Sequence, residues 1–349
     1  MMWIRRDLLA AALSAAVLFT GPAARAAGDL FLFNWTNYTD PALLKKFEAE
    51  TGIKVTLDVY DSNETMLAKL QAGGGGYDVV VPSDYMVDIM VKAGLLQEID
   101  AAQMPGFAAV MPPHDKPWYD PERKYSAPYM WGTTGFTYDS AKVQGPVDDS
   151  WWSIFNPDGP FKGHLAMMND SVEVFNAAAY YLGIDRCTES NEDAGKIFKL
   201  LAAQKPAVAL YNSDGSVERM AAGEVVAHMQ WNGAAHRTKV KRPSAVFVYP
   251  KEGMSLWADN LVVPKDAKNP DNAKIFIAWM LKPENAGAAS NFTTYMNAIK
   301  GSEAFMDKAL SADPAINMPP EYLERLRPAK NCSPAAVELR DRVWTRLKS

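Results

Sequence analysis

Six short segments of the chain set aromatic rings beside carboxylates, amides or hydroxyls. They are Asn34-Trp35-Thr36-Asn37-Tyr38, Pro82-Ser83-Asp84-Tyr85, Asn169-Asp170-Ser171-Val172-Glu173, Gln230-Trp231-Asn232-Gly233, Trp257-Ala258-Asp259 and Thr293-Thr294-Tyr295. Indole and phenol faces attract ammonium groups, at about 0.5–2 kcal/mol per contact. The same rings cover methylene chains, at about 0.8 kcal/mol per buried CH₂. Carboxylates cap an ammonium through charge-assisted hydrogen bonds. Rings and acids with few basic groups among them therefore suit a small organic cation with a carbon chain. Any one of these tryptophans taken alone reads equally well as core. Five aromatics falling in loops, several next to an acid or an amide, are harder to account for as packing.

Enzyme chemistry finds less support. The sequence has no GxSxG, P-loop or HExxH motif. Gly73 to Gly76 follows a helical pattern and precedes a strand pattern. A phosphate cradle needs the opposite order, so the run reads as a turn. The four histidines (His114, His164, His228, His236) lack metal-ligand spacing, and two cysteines exclude a multi-cysteine metal site. No cofactor is expected. Asp170 and Glu173 have a spacing that acid/base work could use, but it is also that of capping charges at a helix start.

The elements that must hold these segments follow an α/β rhythm. Leu30 to Asn34 reads as a buried strand, and Asp40-Pro41 as the cap and first residue of a helix closed by Thr51-Gly52. Ile53 to Val59 is a strand, Asn63-Glu64 opens a helix, Tyr77 to Val81 is a strand, and Ser83 caps a helix reaching Gly94. Strand, helix, strand, helix, strand, helix is the pattern of a largely parallel sheet covered by helices. Further strands are expected at 164–168, 225–231, 245–249 and 261–263. Helices are expected from Trp151, at 174–182, 191–204, 272–282 (stopped by Pro283), 321–327 and 334–347. Most of the six segments follow the C-terminal end of a strand, the edge where open α/β sheets bind ligands. No repeat and no Pro/Gly/Ser-rich linker divides the chain, so two domains would have to be joined by more than one crossing.

Length and composition fit this picture. The chain has 349 residues, 48% hydrophobic and 22% charged, with a net charge of −5. That is ordinary globular composition, with a prior of two domains or one large one, and without the basic excess of a nucleic-acid binder. Arg5-Arg6, the apolar stretch from Leu8 to Thr20 and Ala24-Arg25-Ala26 form an export signal cleaved near Ala26. The apolar stretch, at about 13 residues, is shorter than the roughly 20 that span a bilayer. Arg5-Arg6 leaves the route, general or twin-arginine, open. Residues 1–26 hold three arginines and one aspartate, so the mature chain carries −7. In an oxidising compartment Cys187 and Cys332 can pair; sequence leaves open whether they come within range.

Several motifs in fixed order resemble the periplasmic spermidine/putrescine-binding proteins of bacterial ABC transporters. They are LFLFNWTNY, DSNETMLAKL, YDVVVPSDYMVDIMVKAGLLQEID, YSAPYMWGTTG, WNGAA, YPKEG and LWAD. The resemblance runs from about Leu30 to the C-terminus. It implies a two-lobed periplasmic-binding-protein fold of type II kind. Largely parallel mixed sheets with helices on both faces are joined by crossing hinge segments, and the ligand sits in the cleft between the lobes. One lobe would comprise 28–134 and 258–305, the other 138–255 and 309–349. The implied role is non-enzymatic: capture of a polyamine and delivery to an inner-membrane permease, by a monomer in the periplasm. By the same resemblance the ligand-binding residues are Trp35, Thr36, Asn37, Tyr38, Ser83, Tyr85, Asp170, Glu173, Trp231, Trp257, Asp259 and Tyr295, with Lys330 from a loose alignment. Two positions depart from the family pattern. Asn37 stands where the polyamine binders carry an acid, and Lys330 stands near a family glutamine. If Lys330 enters the cleft it pairs with Glu173, with Asp170 or with a ligand carboxylate; otherwise it is a surface lysine. Two alternatives stay open: the same transport role for an amino-acid-like or zwitterionic amine, and an exported hydrolase.

Overall fold

Strand Gly28–Trp35 lies parallel to Ile53–Tyr60 along its whole length, Gly28 opposite Ile53 and Trp35 opposite Tyr60. On its other side lies the short strand Val79–Val80, also parallel. This computed structural model describes residues 28–73 and 75–349; the export signal lies outside the described residues. The crossover helices are Pro41–Thr51 and Asn63–Gln71. Asp40 caps the first by accepting from the Ala42 N–H, and Gly52 ends it at φ 80°, a left-handed conformation that glycine adopts without strain. The third strand is shorter than its apolar run: in Tyr77 to Val81 only Val79 and Val80 pair.

The fold turns on a strand that the sequence pattern did not reveal. Ser126–Asp139 spans 14 residues. Its first part pairs antiparallel with Met254–Val262, from Ser126 opposite Val262 to Thr133 opposite Leu256. Its second part pairs with Ala227–Trp231 and Ala245–Val248. Beyond these, Leu165–Met167 and Val208–Tyr211 extend the second part in parallel. Two α/β lobes thus share strands that run from one into the other, which is why no linker interrupts the sequence. One apolar core gathers Leu30, Phe47, Val79, Leu261 and Ile277. Another gathers Phe136, Trp151, Phe175, Ile197 and Met229, closed by Leu339 and Val343 of the C-terminal helix Pro334–Lys348.

Three expectations need correction. Pro283 does not merely stop a helix. It opens the next one, Pro283–Thr293, because proline's missing N–H costs nothing at a first helical position. Residues 321–327 are a 3₁₀ turn, Pro320–Arg325, followed by strand Leu326–Pro328 against Met254 to Leu256. Trp257 and Asp259 do not precede a strand but lie inside Met254–Val262. The cysteines are joined: Cys187 and Cys332 form a disulfide with Cα atoms 5.0 Å apart. Among the described residues no helix is long and apolar enough to cross a membrane.

Candidate ligand-binding cleft

Twelve of the thirteen residues singled out from the sequence line a single cleft of about 260 Å³. Strand ends bring them there. Trp35 closes strand Gly28–Trp35 and Ser83 follows Val79–Val80. Asp170 follows Leu165–Met167, and Trp231 is the last residue of Ala227–Trp231. Trp257 and Asp259 are two apart on one strand, so both side chains project from the same face of the sheet. Asn37 is left-handed at φ 58°, a conformation asparagine tolerates better than most residues. It turns the chain so that Tyr38 is buried, with its carbonyl accepting from Tyr129 Oη at 2.7 Å.

Asp259 is the centre of the arrangement. It is 5% exposed. Tyr38 Oη donates to its Oδ2 at 2.8 Å and Ser83 Oγ to its Oδ1 at 2.6 Å. Ser83 sits at the N-cap of helix Asp84–Lys92 yet makes no side-chain cap bond. A serine there normally contributes about 0.5–2 kcal/mol to the helix. Here the hydroxyl serves Asp259 instead. Ser83→Ala is therefore expected to leave the helix and the melting temperature nearly unchanged while weakening ligand binding by about 0.5–1.5 kcal/mol. Thermal melts and titration calorimetry on the same preparation separate the two effects.

Rings surround this carboxylate. Tyr295 meets Tyr38 edge to face at 5.5 Å and Trp257 at 5.1 Å. Across the cleft Trp35 approaches Trp231 at 6.2 Å and 75°, with its Nε1 tied to the Val81 carbonyl at 2.8 Å. Two glycines permit this packing. A Cβ on Gly132 would come within 2.6 Å of the Trp257 ring, and one on Gly233 within 2.5 Å of Tyr295.

A second acidic group lies on helix Ser171–Leu182. Asp170 caps it, its Oδ1 accepting from the Val172 and Glu173 N–H groups at 3.0 Å each. Glu173 Oε2 is buried with no hydrogen-bond partner. Tyr85, in helix Asp84–Lys92, is held by helix Asn63–Gln71: its hydroxyl accepts from Asn63 Nδ2 and donates to Glu64, both at 3.0 Å. Thr36 reaches the Tyr60 carbonyl at 3.3 Å.

The cleft carboxylates are held away from their ordinary ionisation. Burial pushes Asp259 up to about 7, against the two hydroxyl bonds that favour the charged form. Burial pushes Asp84 up to about 8, with the Asp259 charge adding to it. Asp170 and Glu173 are raised as well, by burial first. For Asp170 the neighbouring Glu64 and Glu173 charges raise it further. None of these four acids forms a salt bridge among the described residues. Buried carboxylates without an ion pair are costly unless something charged meets them.

Lys330 is the exception among the thirteen. Its ammonium pairs with Asp185 at 3.0 Å, both side chains half exposed, and it does not line the cleft. The surface reading is the one the structure gives. The sequence pattern also gave no mark to Asp61, Asp214, Arg186 and Arg237, and Asp84 lay unremarked within a segment already marked; all five line the cleft. Arg186 sits in a loop without aromatic neighbours in the sequence, and no local signal points to it; Asp214 follows the strand that ends at Tyr211 and carries the same kind of signal as the six segments.

The family profile described as bacterial extracellular solute-binding protein matches residues 42–319. The chain belongs to that family. Among curated proteins this solute-binding protein is 38% identical over 278 residues to the spermidine/putrescine-binding periplasmic protein of Escherichia coli, covering 78% of this chain and 79% of that one. It is 31% identical over 340 residues to the putrescine/agmatine-binding protein of Pseudomonas aeruginosa, covering 92% of each. Among solved structures it superposes on the spermidine/putrescine ABC transporter substrate-binding protein PotD of Streptococcus pneumoniae with a TM-score of 0.76. Identity there is 28%, over 92% of this chain and 99% of the other.

Proposed function

We propose that this solute-binding protein captures a polyamine, putrescine or spermidine in kind, in the cleft between its lobes and delivers it to an inner-membrane ABC permease. The observation that carries the reading is Asp259: a buried carboxylate held by two neutral hydroxyls, ringed by Tyr38, Tyr295 and Trp257, with no protein cation on it. An ammonium of the ligand would lie on Asp259 with its chain against the Trp257 ring, and a second ammonium would meet Asp170 and Glu173. Trp35, Thr36, Asn37, Ser83, Tyr85, Trp231 and Tyr295 complete the site. The names of the relatives support the ligand class.

The division of the two cores supports lobes of 28–134 with 258–305, and 138–255 with 309–349, hinged at the shared strands. Export by the N-terminal signal, cleavage near Ala26 and a monomer in the periplasm complete the proposal. The relatives' periplasmic location supports it.

Titration calorimetry with putrescine and spermidine at moderate salt tests the reading directly. Saturable 1:1 binding is expected. No heat up to millimolar ligand rejects a polyamine as the cargo. The acidic cleft also draws cations electrostatically, so added salt is expected to weaken binding.

A further inference from the structure

Arg186 follows helix Ser171–Leu182 just after Gly183 turns the chain at φ 66°. It lines the cleft among predominantly acidic charged neighbours. Its Nη1 donates to Tyr180 Oη at 3.1 Å and its other terminal nitrogen to the Pro328 carbonyl. The loop that carries it is laced to the segment 328–333. Cys187 is joined to Cys332, Lys330 pairs with Asp185, and the Ser333 hydroxyl donates to Glu189. The guanidinium is therefore held in place at the cleft wall.

Its charge bears on the acids of the cleft wall. The positive field of Arg186 favours the ionised forms of Glu173 and Asp84, without an ion pair to either. At Asp259 the influences are burial, Ser83 and Tyr38. The other wall guanidinium, Arg237, is engaged with the Thr293 carbonyl and Thr294 Oγ1 and lies 5.9 Å from the Tyr295 ring centroid. The cleft wall thus already holds a fixed positive charge, and neither guanidinium forms an ion pair with Asp259.

We propose that Arg186 is a specificity-determining residue, which limits how much positive charge the ligand can place beside Glu173 and Asp84 and so favours a diamine over a triamine. This rests on the polyamine reading above. A diamine meets the repulsion of this fixed charge with two ammonium groups, and a triamine meets it with three, so the penalty grows with the charge of the ligand.

The test is titration of wild type, Arg186→Gln and Arg186→Lys with putrescine and with spermidine. Loss of the charge in Arg186→Gln is expected to shift the ratio of the two dissociation constants five- to tenfold toward spermidine. Arg186→Lys, which keeps the charge, is expected to hold the wild-type ratio within twofold. An unchanged ratio in Arg186→Gln overturns the proposal. So does an Arg186→Lys shift as large as that of Arg186→Gln, since the effect would then come from shape. Should Arg186→Gln not fold, Arg186→Met is titrated in its place, with the same shift expected and an unchanged ratio overturning the proposal. Wild type that binds neither amine refutes the polyamine reading, and this inference with it; binding of both with an unmoved ratio refutes this inference alone.

Discussion

Asp259→Asn is expected to weaken diamine binding by at least about 2 kcal/mol, roughly thirty-fold, with little effect on the fold. The substitution keeps the shape of the side chain and removes its charge. Tyr38 Oη and Ser83 Oγ, now donating at 2.8 and 2.6 Å, can still find an amide oxygen on one side. On the other they face an NH₂ group, which cannot accept. The ligand's ammonium would lose its counter-charge at that point while remaining enclosed by Tyr38, Tyr295 and Trp257. Truncating one partner of a buried, hydrogen-bonded charge pair costs about 2–5 kcal/mol or more. Calorimetry measures the affinity, and a thermal melt without ligand checks the fold. An affinity within threefold of wild type would remove Asp259 from the site.

Affinity is also expected to rise with pH between 6 and 8. The sign follows from the direction of the shifts. Burial holds Asp259 at about 7 and Asp84 at about 8 in the free protein, so both carry protons for part of the time in this range. An ammonium binds the ionised carboxylate and therefore lowers its pKa in the complex. Binding below pH 8 must then release protons, and linkage makes the complex weaker as the pH falls. The ligand adds no opposing change, because alkylammonium groups like that of lysine titrate near 10.4. Asp259 alone accounts for about a tenfold loss of affinity from pH 8 to pH 6, at 1.36 kcal/mol per pKa unit. Asp84, Asp170 and Glu173 shift in the same direction and would steepen it. Calorimetry in two buffers of different ionisation enthalpy measures the protons released. A flat profile with no proton release would mean that these acids are not in contact with the ligand's charge.

How much of this could be read in the sequence depended on whether the determining signal was local. Asp40-Pro41 and Gly52 mark both ends of a helix by their own chemistry, and the structure places that helix at Pro41–Thr51. The segments at strand ends were legible because rings beside carboxylates are unusual in loops. Twelve of those residues share one cleft. Strand Ser126–Asp139 was not legible, although it joins the two lobes. Pro128, Gly132 and Gly135 read as breakers of a strand. Their reason lies in distant residues. Gly132 leaves room for Trp257, Gly135 for the Val248 carbonyl, and the pairing shifts register between Pro128 and Trp131. Arg186 was hidden for a similar reason: the disulfide and the Pro328 carbonyl, from the far end of the chain, hold it against the cleft. Lys330 shows the converse. An alignment placed it in the site, while a nearby carboxylate, Asp185, holds it on the surface.

Native mass spectrometry of the protein purified without denaturation tests the central claim most directly. Four enclosed acids facing aromatic rings should retain a small cation through such a preparation. The account predicts one bound molecule per chain with the mass of a polyamine, lost on Asp259→Asn. A bound sugar, an anion or a ligand without an amine, retained by Asp259→Asn, would contradict it.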